Sequence, residues 1–532
     1  MKKKIFILIF AIFGVLTMNS AKAQTWPPDG MQGDGTENSP WQITTPADLE
    51  ALALYVNAGN GELTSDVYYK LMKNIDLSGY DNWIPIGKYD SESYTSFFRG
   101  NVDGNGKKIE NLTIYYESYS GLFGATINAQ IKNLGIENYD IKGANNIGGL
   151  VGWSDNSIIT NSYAIGRVSG LNGPLGGLIG NSLNNSNISN CYTKGSVISG
   201  SGAGGYSHAG GLVGISWNST ISNCYSTDSI SGTGGIGGLV GTNDNSTISA
   251  CYATGNVDSW EDWTGVNYSV GGLVGITRNS SKISNSYAIG NVNGNNMVGG
   301  LAGISISSTI SNSYATGNVS GSDNVGGVLG YNRSSSVHNC LAANDSLSSG
   351  LDINRIAGWN EYDYGFFYYN YAINTMIVES NGVHVNITDD LNGLSGMSKE
   401  ITTLQSRSFY ATVENWQGGL YEWDIVSPTS TWDIRDGESL PFLRWQGAPV
   451  SILENTITSV LTIYPNPTSE KFIFDFDRVA TIKLYDMLGR EALTQNILGK
   501  TEINISHLPK GIYCIRVISE GKVIGNSKII KQ

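Results

Sequence analysis

The chain has 532 residues, 40% of them hydrophobic, enough for a sizeable core and more than one domain. Charged residues are only 14% and the formal net charge is −13, which argues electrostatically against nucleic acid or an anionic membrane as partner. Glycine, at 68 residues, is far above ordinary usage, yet the hydrophobic content argues against disorder.

The first element in chain order is a secretory signal over residues 1–23. Lys2, Lys3 and Lys4 precede an apolar run of 12 residues, Ile5 to Leu16, and Ala21-Lys22-Ala23 supplies a small-x-small cleavage site. A run of 12 is too short to span a bilayer, so no membrane insertion is expected. Residues 24–60 hold one predicted helix, in TPADLEALALYVNAG. Thr45 is its cap, Pro46 its first turn, Asp48 completes a capping box and Gly59 is the stop. Leu49, Leu52, Ala53 and Val56 form an apolar stripe suited to plugging the open end of the domain that follows. YYKLMKNIDL and FRGNVDGNGKKIENLTIYY read as imperfect first coils, and the turn at Asp103 carries too few acids for calcium.

A phrase of the type GGLVG then recurs from Gly148, Gly176, Gly210, Gly237, Gly271, Gly299 and Gly326, at spacings of 28, 34, 27, 34, 28 and 27. Weaker copies at Ser120 and Asn354 extend it by 28 at each end. The segments between are short and β-branched, with no helical periodicity. They predict an all-β domain, a parallel β-solenoid over 61–358 with one coil per repeat; propeller blades need roughly 40 residues or more. Coils stack about 4.8 Å apart, so nine of them span roughly 43 Å and each position becomes a ladder.

Leu150, Leu178, Leu212, Leu239, Leu273 and Leu301 are the expected interior ladder. An Asn ladder runs through Asn111, Asn133, Asn161, Asn190, Asn223, Asn285, Asn312 and Asn339, broken by Ala250, and stacked amides there are expected to bond along the axis. Like charges stacked on every coil would repel, which accounts for their scarcity. Cys191, Cys224, Cys251 and Cys340 share a slot with Ser162, Ser286 and Ser313, so they read as free buried thiols rather than disulfides or metal ligands. The next residue is a Tyr ladder (Tyr163, Tyr192, Tyr225, Tyr252, Tyr287, Tyr314), which alternation turns to the outer face as an aromatic stack or a ligand stripe.

The coils from Gly176 and Gly237 are each about six residues longer than their neighbours, with the surplus just before the next GGLVG. Both loops should leave one edge roughly 9.6 Å apart, two coil steps. They carry Tyr206, His208, Trp260, Glu261, Asp262, Trp263 and Tyr268 on a surface otherwise of Ser and Asn. Such aromatics beside carboxylates suit sugar rings, and the two loops are the candidate glycan-binding patch; the plainer reading is tolerated insertions.

The repeat, from about Ser120 to Gly358, resembles the GLUG-repeat family of bacterial surface proteins. That resemblance implies a solenoid stalk in adhesin-like or secreted proteins, sometimes joined to IgA-cleaving metallopeptidases. The peptidase would need H-E-x-x-H, and His208, His338, His384 and His507 have no such neighbours.

Residues 359–450 are a predicted cap for the far end, with Trp416, Trp423, Trp432 and Trp445; a carbohydrate-binding module is the alternative. Residues 451–459 are a linker. Residues 460–532 alternate as strands between Gly, Pro and Asn turns, a small Ig-like β-sandwich. This last stretch resembles the C-terminal sorting domain of type IX secretion substrates of Bacteroidetes. The match rests on Tyr464-Pro465-Asn466-Pro467, Leu484-Tyr485-Asp486 with Gly489-Arg490, Pro509-Lys510-Gly511-Ile512-Tyr513, and the basic end with Lys528 and Lys531. It implies handling by the type IX machinery and delivery to the outer surface or medium.

Three function classes remain: an adhesin-like protein binding extracellular glycan or a host surface, a carbohydrate-active solenoid enzyme, and a structural stalk. An enzyme needs carboxylates facing one cleft. From Gly148 to Gly330 the acids stand singly, as Asp155, Asp228, Asp244, Asp258 and Asp323, except the adjacent Glu261-Asp262. The non-enzymatic reading is preferred, with no catalytic residue, metal or cofactor assigned.

Overall fold

Twelve strands form one unbroken parallel ladder, from Trp41–Ile43 to Phe366–Tyr368. Its inward position runs from Tyr69 through Ile159, Ile188 and Ile221 to Phe367, all buried. The central coils also add strands to two further sheets, one of nine strands and one of eight. The computed structural model describes residues 26–446 apart from 90–91, 201–206, 261–268, 362–364 and 417–422, and residues 462–531 apart from 465–467, 476–478, 486–490 and 520–521. The signal segment and the 451–459 linker lie outside the described residues. The chain divides into two compact units, Met1–Gly447 and Ala448–Gln532.

The solenoid is longer than the expected 61–358. It begins at Trp41, and past Gly358 it continues through strands Tyr371–Ile373, Ile377–Ser380 and Met397–Lys399. These outer coils keep inward apolar residues but lack the GGLVG phrase, so a search for the phrase ends too early. Arg355, buried, ties down the last turn by donating to the Ser395 and Gly396 carbonyls, Ser398 Oγ and Asp389 Oδ1.

The helix spans Pro46–Tyr55, and both halves of its capping box form: Asp48 N–H donates to Thr45 Oγ1 and Thr45 N–H to Asp48 Oδ2, at 3.2 and 2.9 Å. The helical path ends near Gly59, whose φ of +94° favours glycine. Leu49, Leu52, Ala53 and Val56 join the same core cluster as the first coils. Trp26 packs on Trp41, Tyr55 and Tyr69, so the N-terminal end is closed by rings as well as by the helix.

The Leu ladder is fully buried. The Asn ladder has a different cause from the one expected. All eight residues have left-handed φ, between +49° and +61°, and Ala250 shares it at +52°. Asparagine is chosen because it tolerates this corner conformation, and alanine pays for it in strain. The expected amide bonding along the axis does occur within this ladder from Asn161 to Asn133, at 3.4 Å, and at another corner from Asn156 to Asn128 and from Asn245 to Asn218, both 2.6 Å. The GGLVG glycines answer to a close approach instead. A Cβ on Gly241 would lie 2.6 Å from the Gly214 carbonyl oxygen and 2.7 Å from the Ala209 nitrogen.

The Ser/Cys slot is a hydrogen-bond relay. Cys191 N–H donates to Cys224 Sγ and Cys224 N–H to Cys251 Sγ, both 3.4 Å; Cys251 N–H donates to Ser286 Oγ and Ser286 N–H to Ser313 Oγ, at 3.2 and 3.1 Å. Each slot side chain in turn donates to the carbonyl two residues back, as Cys224 does to Ser222. Serine and cysteine interchange because both accept and donate at this size. The four ladder cysteines are free and buried, and burial pushes the Cys340 thiol up to about 12.

One interior position breaks the pattern. Where neighbouring coils have Gly166, Gly195, Gly255, Gly290 and Gly317, one has Asp228, fully buried. Ser226 Oγ donates to its Oδ2 at 3.0 Å, while Oδ1 has no partner among the described residues. Burial lifts this carboxyl to about 6. Its folded pKa thus exceeds the unfolded one, so its stabilising contribution is present below about pH 4 and is lost as pH rises toward 6. Asp228→Asn is expected to stabilise the full chain at pH 7 by on the order of 3 kcal/mol and to leave it unchanged near pH 3. Denaturant melts at both pH values check this; equal melts at pH 7 would refute it.

Candidate functional site

The two long loops return to the eight-stranded sheet at strands Ser207–Gly210 and Ser269–Gly271. Strand Gly235–Gly237 lies between them, with His208 opposite Gly235 and Gly235 opposite Ser269. The re-entry points are therefore two coil steps apart on one edge, as the spacing of the insertions requires. Trp260 is 42% exposed, and its backbone N–H donates to the Gly232 carbonyl. Tyr206, Glu261, Asp262, Trp263 and Tyr268 lie outside the described residues.

His208 is a correction. It stands in the strand, not in the loop, with Nδ1 2.8 Å from Thr242 Oγ1. Burial, with the charge of Arg278 as a smaller cause, pulls its pKa down to about 4. The imidazole is therefore neutral at pH 7 and tied to Thr242 of the neighbouring sheet.

The Tyr ladder is outward, as alternation requires, and its rings stack on one another. Successive centroids are 4.8 to 5.0 Å apart with planes 3° to 6° from parallel, an offset stack. Half of the ladder is covered by the chain itself. Residues 400–446 do not merely cap the far end; they run back down the solenoid as a strap. Trp423 Nε1 donates to the Asn339 carbonyl, Trp432 Nε1 to Asn285 Oδ1 and Trp445 Nε1 to the Ala250 carbonyl, each at 3.1 Å. Tyr371 and Tyr314 donate to the Asn415 and Pro441 carbonyls, and Tyr287 pairs with Gln446. Arg407 and Arg444 share Asp433 and brace the strap internally. Trp416, Trp423 and Trp432 are buried in this contact, so they are not the platform of a carbohydrate module. Nothing in the sequence spacing of the strap pointed to the ladder, because the contacts join residues 44 to 195 positions apart.

A second surface escaped the sequence reading. The outer face of the nine-stranded sheet carries one column, Trp153, Asn181, Ile215, Thr242, Ile276, Ile304, Tyr331 and Trp359. Trp359 is 43% exposed, and Trp217, two residues along from Ile215, is 41% exposed. The column was legible as the fifth residue after each GGLVG start. At its head Trp153 packs on the stacked pair Tyr89–Tyr119, beside a cleft of about 410 Å³ lined by Trp83, Ile84, Pro85 and Lys88. That volume suits a small ligand. The acids nearby are engaged structurally: Asp244 pairs with Arg278 at 2.8 Å and accepts from Asn279, and Asp155 accepts from Asn184. Among the described residues no cluster of His, Cys, Asp and Glu could hold a metal ion, and no helix is long and apolar enough to cross a membrane.

In the second unit, strands Thr462–Tyr464, Lys471–Asp475 and Thr501–Asn504 form one antiparallel sheet, and four more strands form another. Both contribute to one apolar cluster that includes Phe472, Ile482, Ile503 and Val517. Of the motif residues, Tyr464 and Lys528 fall in strands and Gly511 opens strand Gly511–Ser519. Tyr513 is buried and donates to the Pro509 carbonyl, and Lys531 is buried with Nζ on the Ser469 carbonyl at 2.7 Å. The basic end is thus partly structural. Pro465, Asn466, Pro467, Gly489 and Arg490 lie outside the described residues.

The strap contact makes a direct prediction. Trp432→Ala is expected to cost about 3 kcal/mol or more, by removing a fully buried indole. It should also open the strap to limited proteolysis before the solenoid melts. Unchanged melting and cleavage would mean that the strap is not held by its indoles.

Comparison with known proteins bears on the two units separately. The GLUG motif matches residues 143–169, 173–198, 205–231, 232–258, 266–293 and 294–320, and the secretion system C-terminal sorting domain matches 462–532. Halomucin of Haloquadratum walsbyi is 34% identical over 156 residues, 28% of this chain and 2% of that protein. The immunoglobulin A1 protease of Streptococcus sanguinis is 30% identical over 253 residues, 47% of this chain and 12% of that protein. The matches therefore span only 2% and 12% of these curated relatives. A crystal structure from Bacteroides ovatus, named for an immunoglobulin A1 protease, is 20% identical and covers 78% of this chain and 94% of its own, with a TM-score of 0.38, too loose a likeness to carry an argument. The chain carries GLUG repeats along its solenoid and a type IX secretion sorting domain at residues 462–532.

Proposed function

We propose that this is an adhesin-like surface protein, exported by type IX secretion, whose solenoid binds extracellular glycan or protein without catalysis. The sorting-domain match at 462–532 carries the reading. The N-terminal signal pattern of residues 1–23 supports passage across the inner membrane first. We read the two sheets of the tail as an immunoglobulin-like sandwich, the form in which the secretion machinery would receive it. Binding is supported by exposed Trp217, Trp260 and Trp359, the first beside and the last within the largely apolar column of the nine-stranded sheet. The non-catalytic part is supported by Asp155 and Asp244, held by Asn184 and Arg278, and by Asp228, buried singly.

Removal of residues 462–532 is expected to leave a folded solenoid trapped in the periplasm, because the two units have separate cores. Cell fractionation checks this, and normal surface display of the truncated chain would defeat the assignment. For the binding half, the mature chain is screened on a glycan array. Replacing Trp260 and Trp263 together by Ala should abolish the strongest signal without lowering Tm; a signal that survives removes the loop patch.

A further inference from the structure

Among the described residues the strap covers only part of the column on which it lies, and the repeat makes the rest informative. Trp445 and Trp432 anchor at Ala250 and Asn285, the same corner position on adjacent coils. Their indoles lie across the ring column: Trp445 is tilted 32° and 29° from Tyr225 and Tyr252, and Trp432 is 39° and 42° from Tyr287 and Tyr314. Toward the N-terminal end the corners continue as Asn223, Asn190 and Asn161, with φ of +52°, +54° and +50° against +52° at Ala250 and +49° at Asn285. The rings continue as Tyr225, Tyr192 and Tyr163 with the same 4.9 Å stacking. Under the strap Tyr287 and Tyr314 are 5% and 4% exposed, whereas Tyr163 and Tyr192 are only half-buried and Asn161 and Asn190 are exposed.

We propose that the open stretch from Asn161–Tyr163 to Asn190–Tyr192 is a docking strip for a β-hairpin of a partner protein that carries two Trp side chains, as the strap's own hairpin does. The surface is continuous with the strap interface and repeats its backbone and its rings, so it offers the acceptors that the strap uses. The Asn161 carbonyl corresponds to the Ala250 carbonyl, and Asn190 Oδ1 to Asn285 Oδ1. The strap's last segment, Thr431–Gln446, folds back on itself, with Trp432–Asp433 antiparallel to Phe442–Leu443, and so sets its two Trp on adjacent corners; the open stretch also has two. Its limit is Glu137, which accepts from Tyr163 and Lys108. Peptide is favoured over sugar because the rings stack on each other. An indole can bridge two tilted edges and donate one hydrogen bond, but no flat ring face is left for a sugar. The proposal stands whether or not the loops bind glycan.

The test uses the mature full chain and a dye-labelled peptide of the sequence Thr431–Gln446, read by fluorescence anisotropy. Saturable binding is expected, lost when both peptide Trp residues are replaced by Ala. Tyr192→Ala should weaken it at least tenfold. Asn190→Gly, which keeps the left-handed corner and removes the amide, should weaken it several-fold even if Tyr192→Ala disturbs the ladder. No binding, binding indifferent to both variants because the peptide displaces the resident strap, or competition by an oligosaccharide would each overturn the proposal.

Discussion

Every side chain in the solenoid has a counterpart about 4.8 Å away in the next coil, and must tolerate a near copy of itself above and below. Apolar residues tolerate this by packing, and tyrosines by offset stacking. Serine and cysteine tolerate it by passing hydrogen bonds from coil to coil. Charges do not, and some of the few present are paired across neighbouring coils, as in Asp244–Arg278 and Arg333–Glu361. The low charge of the whole chain follows from this constraint rather than from any partner.

The same constraint sets where variation is allowed. Insertions can leave only at a corner, since an extra residue within a strand would turn every later side chain to the other face. Both long loops obey this and return to register two coils apart. Asp228 is the exception inside the wall, a carboxyl in a glycine column, and burial shifts its titration accordingly. A fold built from small repeated terms can absorb one such penalty because each coil contacts chiefly its neighbours.

Stacking leaves two problems that it cannot solve by itself, the open ends and the wide flank of exposed rings. The first is met by the helix and Trp26 at one end and the Arg355-clamped turn at the other. The second is met only in part. The strap buries the column near Tyr287 and Tyr314 and leaves it open near Tyr163 and Tyr192. That asymmetry arises within a repeat that is itself nearly uniform, so the strap, not the repeat, gives the flank its individuality.

The sequence alone determined whatever is periodic. The 27- to 28-residue recurrence gave the coil, the inward Leu and Ile columns, the outward Tyr column and the free thiols of the shared slot. Local chemistry sufficed for the capping box at Thr45 and Asp48, whose partners are three residues apart. Tertiary structure alone decided what joins distant segments: the strap on the ladder, His208 against Thr242, Lys531 on Ser469, and the coils before residue 61 and after 358. It also decided why Asn recurs, since a left-handed corner is a backbone fact that residue type only permits. Periodic patterns are visible in one dimension because each coil repeats its neighbour's environment; a contact made once, between non-repeating segments, has no second copy from which to be read.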